Sequence, residues 1–206
     1  MGLDGFASRF QEAFDVKMAA RERALPACRR AIRSSANAIR AIHRDEFDGA
    51  QELMAEARGS LDEAEAAVDG HADLRHAGWL HDSAKEYAEA RLTFAAVRGE
   101  ELPGPEELRV DLPAWLNGLS EVIGELRRYI LDLLRRGDYE RCEKLLSQMD
   151  DMYYLLVTID YPDAITGNLR RSTDVARSIL EKTRGDLTVS LVQKDLKDAI
   201  ERGGGS

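Results

Sequence analysis

Residues 113–136 read PAWLNGLSEVIGELRRYILDLLRR. Trp115, Leu119, Val122, Leu126 and Leu133 fall within one face at about 100° per residue, the period of an amphipathic helix. Asp111 stands where a cap would hold the first free amides, and Gly137 supplies a stop, so the spacing predicts a helix over Pro113 to Arg136. The same period continues in both directions. Toward the N-terminus it predicts a helix over about Leu74 to Arg98, stopped by Gly99, and another over about Asp48 to Val68. The first helix is expected over about Phe6 to Arg44, interrupted or kinked near Pro26, with Leu25, Cys28, Ile32, Ala36 and Ile39 facing inward. Toward the C-terminus Asp138 opens a helix to about Ile159, and Asp160-Tyr161-Pro162 breaks the chain. A sixth helix begins near Asp163 and is expected to be interrupted at Gly185-Asp186 before a last stretch to Glu201. Glu100 to Asp111, with Pro103, Gly104 and Pro105, is the one clear loop. No stretch alternates with period two for long enough to suggest a sheet. The fold class is all-α, a single bundle of about six or seven helices without internal repeat or domain boundary.

The composition of the 206 residues, 44% hydrophobic and 33% charged, is that of a globular chain with a sizeable core. Cys28 and Cys142 are far apart and match no disulfide framework or zinc spacing, which fits a reducing interior. No charge-free apolar run reaches membrane-span length, and MGLDGFASRF lacks the basic start and apolar stretch of a signal peptide, so a cytoplasmic protein with no membrane partner is expected. Residues 203–206, GGGS, read as a flexible tail or cloning scar.

A net charge of -9 argues on average against polyanion binding, but the charge is segregated. Between Arg21 and Arg44 seven arginines face one acid, Glu22, a local +6 that leaves -15 for the remainder. On a helix Arg33, Arg40 and Arg44 lie within roughly 40° of one another, flanked by Arg29 and Arg30. Such a row of guanidinium forks can follow a sugar-phosphate backbone without reading bases, and no aromatic residue interleaves to stack on them. The same arginines also fit a solvated face paired with the acidic second helix, where Asp48, Glu52, Glu56, Asp62, Glu63, Glu65 and Asp69 stand nearly alone.

Two carboxylate pairs share helix faces, Glu86 with Glu89 and Glu121 with Glu125. Glu121 and Glu125 lie at the edge of their apolar stripe. Glu86 and Glu89 lie roughly 125 to 170° from theirs, so the four can meet only if something covers those faces. Clustered carboxylates call for a compensating cation, and an all-oxygen set suits Mg²⁺ or Mn²⁺ rather than zinc. Ordinary surface pairs, Lys85 with Glu89 and Glu125 with Arg128, account for the same residues. His71, His76 and His81, five apart, cannot line one face, and Tyr153-Tyr154 reads as core or interface.

Four stretches together resemble the translin and TRAX family, most of all its archaeal TRAX-like members. They are CRRAIRSSANAIRAIHRDE at Cys28 to Glu46, KEYAEARLTF at Lys85 to Phe94, LNGLSEVIGELRRYILD at Leu116 to Asp132, and DYPDAITGNLRRSTDVARSILEKTRGDLT at Asp160 to Thr188. The resemblance implies one translin/TRAX-like helical domain over residues 1–202, in a protomer that assembles into a hollow homo-oligomer, an octamer, with RNA inside. It implies a Mg²⁺- or Mn²⁺-dependent endoribonuclease whose acidic motifs fall on Glu86, Glu89, Glu121 and Glu125. Of these, Glu89 and Glu125 would be direct metal ligands, with Glu86 and Glu121 assisting the water. It also places nucleic-acid contacts on the first helix, at Arg30, Arg33, Arg40 and Arg44. TRAX carries aspartate where Glu121 stands, which bears on rate and metal preference. A non-catalytic translin-type protein binding RNA or ssDNA, and a helical scaffold whose arginines only pair with the second helix, are the competing readings.

Overall fold

Alanines seven residues apart define the first hairpin. Ala50, Met54, Ala57, Leu61, Ala64 and Val68 alternate four and three residues apart and are all buried, a heptad seam along α2 (Phe47–Ala67) and its cap. The facing helix α1 (Leu3–His43) answers with Ala20, Ala24, Ala27, Ala31, Ser35, Ala38 and Ile42. The buried line of α1 is therefore rotated onto its small residues, and Leu25, Ile32 and Ala36, expected inside, are only half-buried. Hydropathy favours large side chains, whereas close approach of two helices favours alanine. The helices reverse through Arg44–Glu46, where Asp45 takes a left-handed conformation (φ 58°) and the Glu46 amide donates to Ala41 O at 3.0 Å.

This computed structural model describes residues 3–203, so residues 204–206 of the expected tail lie outside the described residues, while Gly203 is the last residue of a helix. Among the described residues there are nine helices and no strand. The others are α3 (Ala72–Arg75), α4 (Gly78–Arg98), α5 (Pro105–Leu108), α6 (Leu112–Arg136), α7 (Tyr139–Thr158), α8 (Asp163–Thr166) and α9 (Leu169–Gly203). The chain divides into two compact units, Met1–Arg91 and Leu92–Ser206, inside α4 rather than at a linker.

In the first unit α1 runs as one helix through Pro26. Proline inside a helix removes one hydrogen bond and costs about 3 kcal/mol, but fully buried Ala24 and Ala27 flank it on the seam and keep the helix uninterrupted through the gap. The expected helix Leu74 to Arg98 is in fact two. No α3 residue is buried, so nothing carries its turn on through His76-Ala77, and α4 restarts at Gly78.

In the second unit α6 packs on α7, α8 and α9. Asp111 caps it as expected, accepting from the Ala114 amide at 2.7 Å, and Gly137 ends it with φ 78°. Asp138 caps α7 through the Arg141 amide. Asn117 Nδ2 donates to Thr166 O at 2.8 Å and Ser172 Oγ to Asn117 Oδ1 at 3.1 Å, tying α6 to α8 and α9. The predicted interruption at Gly185-Asp186 is absent. Arg127 of α6 donates to Asp186 Oδ2 at 2.7 Å and to Thr183 Oγ1 at 3.1 Å, and this offsets the roughly 1 kcal/mol that a glycine costs mid-helix. The loop before α6 contains α5, whose Leu108 is buried, and is pinned by Trp115 Nε1 donating to Pro103 O at 2.9 Å. Among the described residues no helix is long and apolar enough to cross a membrane.

Both cysteines are buried free thiols. Burial raises the Cys28 thiol and pushes Cys142 up to about 11, so neither is a thiolate at pH 8. Native protein at pH 8 should therefore leave a thiol reagent such as DTNB unreacted over minutes, while unfolded protein releases two equivalents. Rapid reaction of the native chain would contradict the burial.

Candidate metal centre and nucleic-acid interface

From Ala84 onward α4 is buried on nearly every side, with Tyr87, Ala88, Ala90, Leu92 and Phe94 to Val97 all inside. Its alanines give it little amphipathic contrast, which is why a helical wheel sends Glu86 and Glu89 outward. Glu89 is in fact only 7% exposed. Glu86 is half-buried, and Lys85 lies 3.4 Å from its carboxylate. On α6, Glu121 and Glu125 are half-buried beside fully buried Val122, Ile123 and Leu126, while Arg128 stands exposed.

One carboxylate oxygen each of Glu86, Glu89 and Glu121 lies within 4.8 Å of the other two, the one such group of potential ligands among the described residues. Glu125, a turn further along α6, is not part of it. Three hard oxygen donors on rigid helices fit a divalent cation that takes carboxylates, and not zinc, for which sulfur or imidazole donors would be expected. The wheel contained the signal in one respect only. It required those faces to be covered, and at Glu89 they are.

On α1 the structure divides the five arginines between the two readings that the sequence allows. Arg30 is ion-paired with Glu63 of α2, and Arg44 holds Glu46 with two guanidinium nitrogens at 2.9 and 2.7 Å, which keeps that carboxyl below its usual range. Arg29, Arg33 and Arg40 are exposed, and Arg40 donates to the Asn37 side-chain oxygen at 2.5 Å. Much of the acidity of α2 is consumed on α2 itself. Arg58 reaches Asp62 and Glu65, both at 3.0 Å, with its guanidinium 5.5 Å from the Tyr87 ring centre. Sequence reading missed Arg58, which sits among acids at helical spacing. Tyr154, expected in a core or interface, is exposed.

Fold and site together define an all-helical protein with an acidic cluster able to take a cation and an exposed arginine row on its first helix. No protein-family model matches the sequence. An uncharacterized protein of Methanocaldococcus jannaschii is 29% identical over 191 residues, 90% of this chain and 83% of the relative. Among solved structures, AfC3PO in complex with duplex RNA has 30% identity and a TM-score of 0.83, covering 94% of this chain and 98% of that one. AfC3PO alone has 28% identity and a TM-score of 0.80. Apo-NeC3PO, at 19% identity and a TM-score of 0.80, shares the fold. The chain belongs to the translin/TRAX family.

Proposed function

We propose that this protein binds RNA and cleaves it as a Mg²⁺- or Mn²⁺-dependent endoribonuclease, acting in the cytoplasm as a homo-oligomer, an octamer, that encloses its substrate. The observation that carries the reading is the convergence of Glu86, Glu89 and Glu121 in a chain whose relative AfC3PO was solved with duplex RNA. When bound, the cation would polarise the scissile phosphate and lower the pKa of the attacking water. Glu89, the most buried carboxylate, and Glu125 are the proposed direct ligands. The closeness of Glu121 to Glu89 supports it as a further one. Glu86, beside Lys85, would orient the water and accept its proton as oxygen attacks phosphorus and the P–O bond to the ribose oxygen of the leaving RNA fragment breaks, that oxygen taking up a proton from solvent.

Substituting Glu89→Gln or Glu125→Gln should lower cleavage of a labelled RNA in Mn²⁺ by about 100-fold, in the range seen for lost metal ligands. Wild type should also melt higher in Mn²⁺ than in EDTA, and Glu89→Gln should lose that shift. Equal cutting by all three proteins, with equal melting shifts, would remove the site.

Arg29, Arg33 and Arg40 span about 16 Å of helix and are the proposed backbone contacts, since Arg30 and Arg44 are engaged with carboxylates. Replacing the three with glutamine should weaken RNA binding and flatten the slope of log K against log salt by about 2 to 3, whereas Arg30→Gln and Arg44→Gln together should change it by less than about 1. The reverse ranking would transfer the interface to Arg30 and Arg44.

A further inference from the structure

With 41 residues in α1 and 21 in α2, the hairpin leaves the first 20 or so residues of α1, about 30 Å of helix, extending past the end of α2. Burial on α1 begins only at Ala20. Ahead of it Leu3, Phe6, Phe10, Phe14 and Met18 are 87, 40, 59, 68 and 58% exposed. At about 100° per residue these five, with Ala7, Ala13 and Lys17, whose ammonium is held by Asp73 at 2.9 Å, occupy an arc about 140° wide, while Asp4, Ser8, Gln11, Glu12 and Asp15 fill the opposite side. The Phe6 and Phe10 rings are stacked, with centroids 6.1 Å apart.

We propose that this stripe docks on the same stripe of a second copy of the chain, antiparallel, across a two-fold axis at Phe10. This gives the proposed homo-oligomer one of its contacts and rests on that part of the reading alone. Equal spacing at i, i+4 and i+8 makes the row self-complementary: Phe6 meets the partner's Phe14, Phe10 meets itself, and Phe14 meets the partner's Phe6. The register sets Lys17, the one charged residue within the stripe, opposite the partner's Leu3, whereas a parallel pairing would run Lys17 against its own copy. Phenylalanines bury about 150–250 Å² each, so at these exposures the three rings with Leu3 and Met18 offer roughly 600 Å² per copy. That is the upper end of what a monomer leaves open, and doubled it reaches the roughly 1,200 Å² at which stable interfaces begin.

The test uses the full chain, whose native thiols are buried. Phe10→Cys should form a disulfide-linked dimer under mild oxidation, since self-facing residues on a two-fold come within disulfide range. Val16→Cys, exposed on the opposite side of the helix, should not. The triple variant Phe6→Ser/Phe10→Ser/Phe14→Ser, altered only at exposed positions, should keep its helical circular dichroism and show half the wild-type mass by light scattering. Equal cross-linking at positions 10 and 16, or a triple variant of unchanged mass, overturns the docking surface. A triple variant that stays fully oligomeric leaves the enclosed-RNA reading standing with other contacts. Cross-linking of Phe10→Cys only to a cysteine placed along Val189, Val192, Leu196 and Ile200 of α9, another exposed apolar row, assigns the stripe to that helix and overturns the two-fold.

Discussion

Ionising a carboxylate held at 7% exposure, as Glu89 is, costs several kcal/mol unless its charge is met where it sits. Two further carboxylates, Glu86 and Glu121, have oxygens within 4.8 Å, and Lys85 lies beside Glu86. Like charges so placed are tolerated where a divalent cation repays the desolvation, and this is the constraint from which the functional reading grows. Ala84, Ala88, Ala90, Ala95 and Ala96 let α4 be buried on nearly all sides, so its carboxylates are fixed by the helix and not by mobile loops.

The same economy of small residues governs α1 and α2. Their alanine seam leaves the charged residues of both helices to the flanks, where Arg30 finds Glu63 and Arg58 finds Asp62 and Glu65. The exposed Arg30–Glu63 pair contributes at most about 1 kcal/mol. The acidic helix therefore satisfies part of the basic one without neutralising it. Arg29, Arg33 and Arg40 keep their hydration, which a phosphate backbone can replace with release of counterions. A chain of net charge -9 can so carry a local polyanion site.

The helical class was legible because capping and stop signals agree with the 3.6-residue period: Asp111, Gly137 and Asp138 act as their positions suggest. Three boundaries were not legible, each for a tertiary reason. Pro26 is carried by the seam, Gly185 by the Arg127–Asp186 ion pair, and the break at His76-Ala77 follows from α3 having nothing to bury. At the candidate site the spacing of the four glutamates was readable, but the burial of Glu89 was not, because alanine barely registers on a hydropathy wheel and yet encloses a carboxylate as well as leucine does. The division of the arginines was hidden for a similar reason. Whether Arg30 or Arg33 takes a carboxylate depends on the rotation of the seam, and the alanines set it where Leu25 and Ile32 would have misled.

That rotation also fixes how the two exposed features of α1 stand to each other. Along one continuous helix the phenylalanine stripe is centred near Phe10, and Arg29 follows 19 residues later, about 28 Å along the axis and roughly 100° around it. Joining two copies antiparallel at Phe10 therefore sets their arginine rows at opposite ends of one helical pair, beginning about 57 Å apart. Two rows that far apart address different stretches of backbone. The proposed self-association of the N-terminal half of α1 would thus space the proposed RNA-binding faces of the C-terminal halves and not merge them, and enclosing one RNA would require further contacts between such pairs.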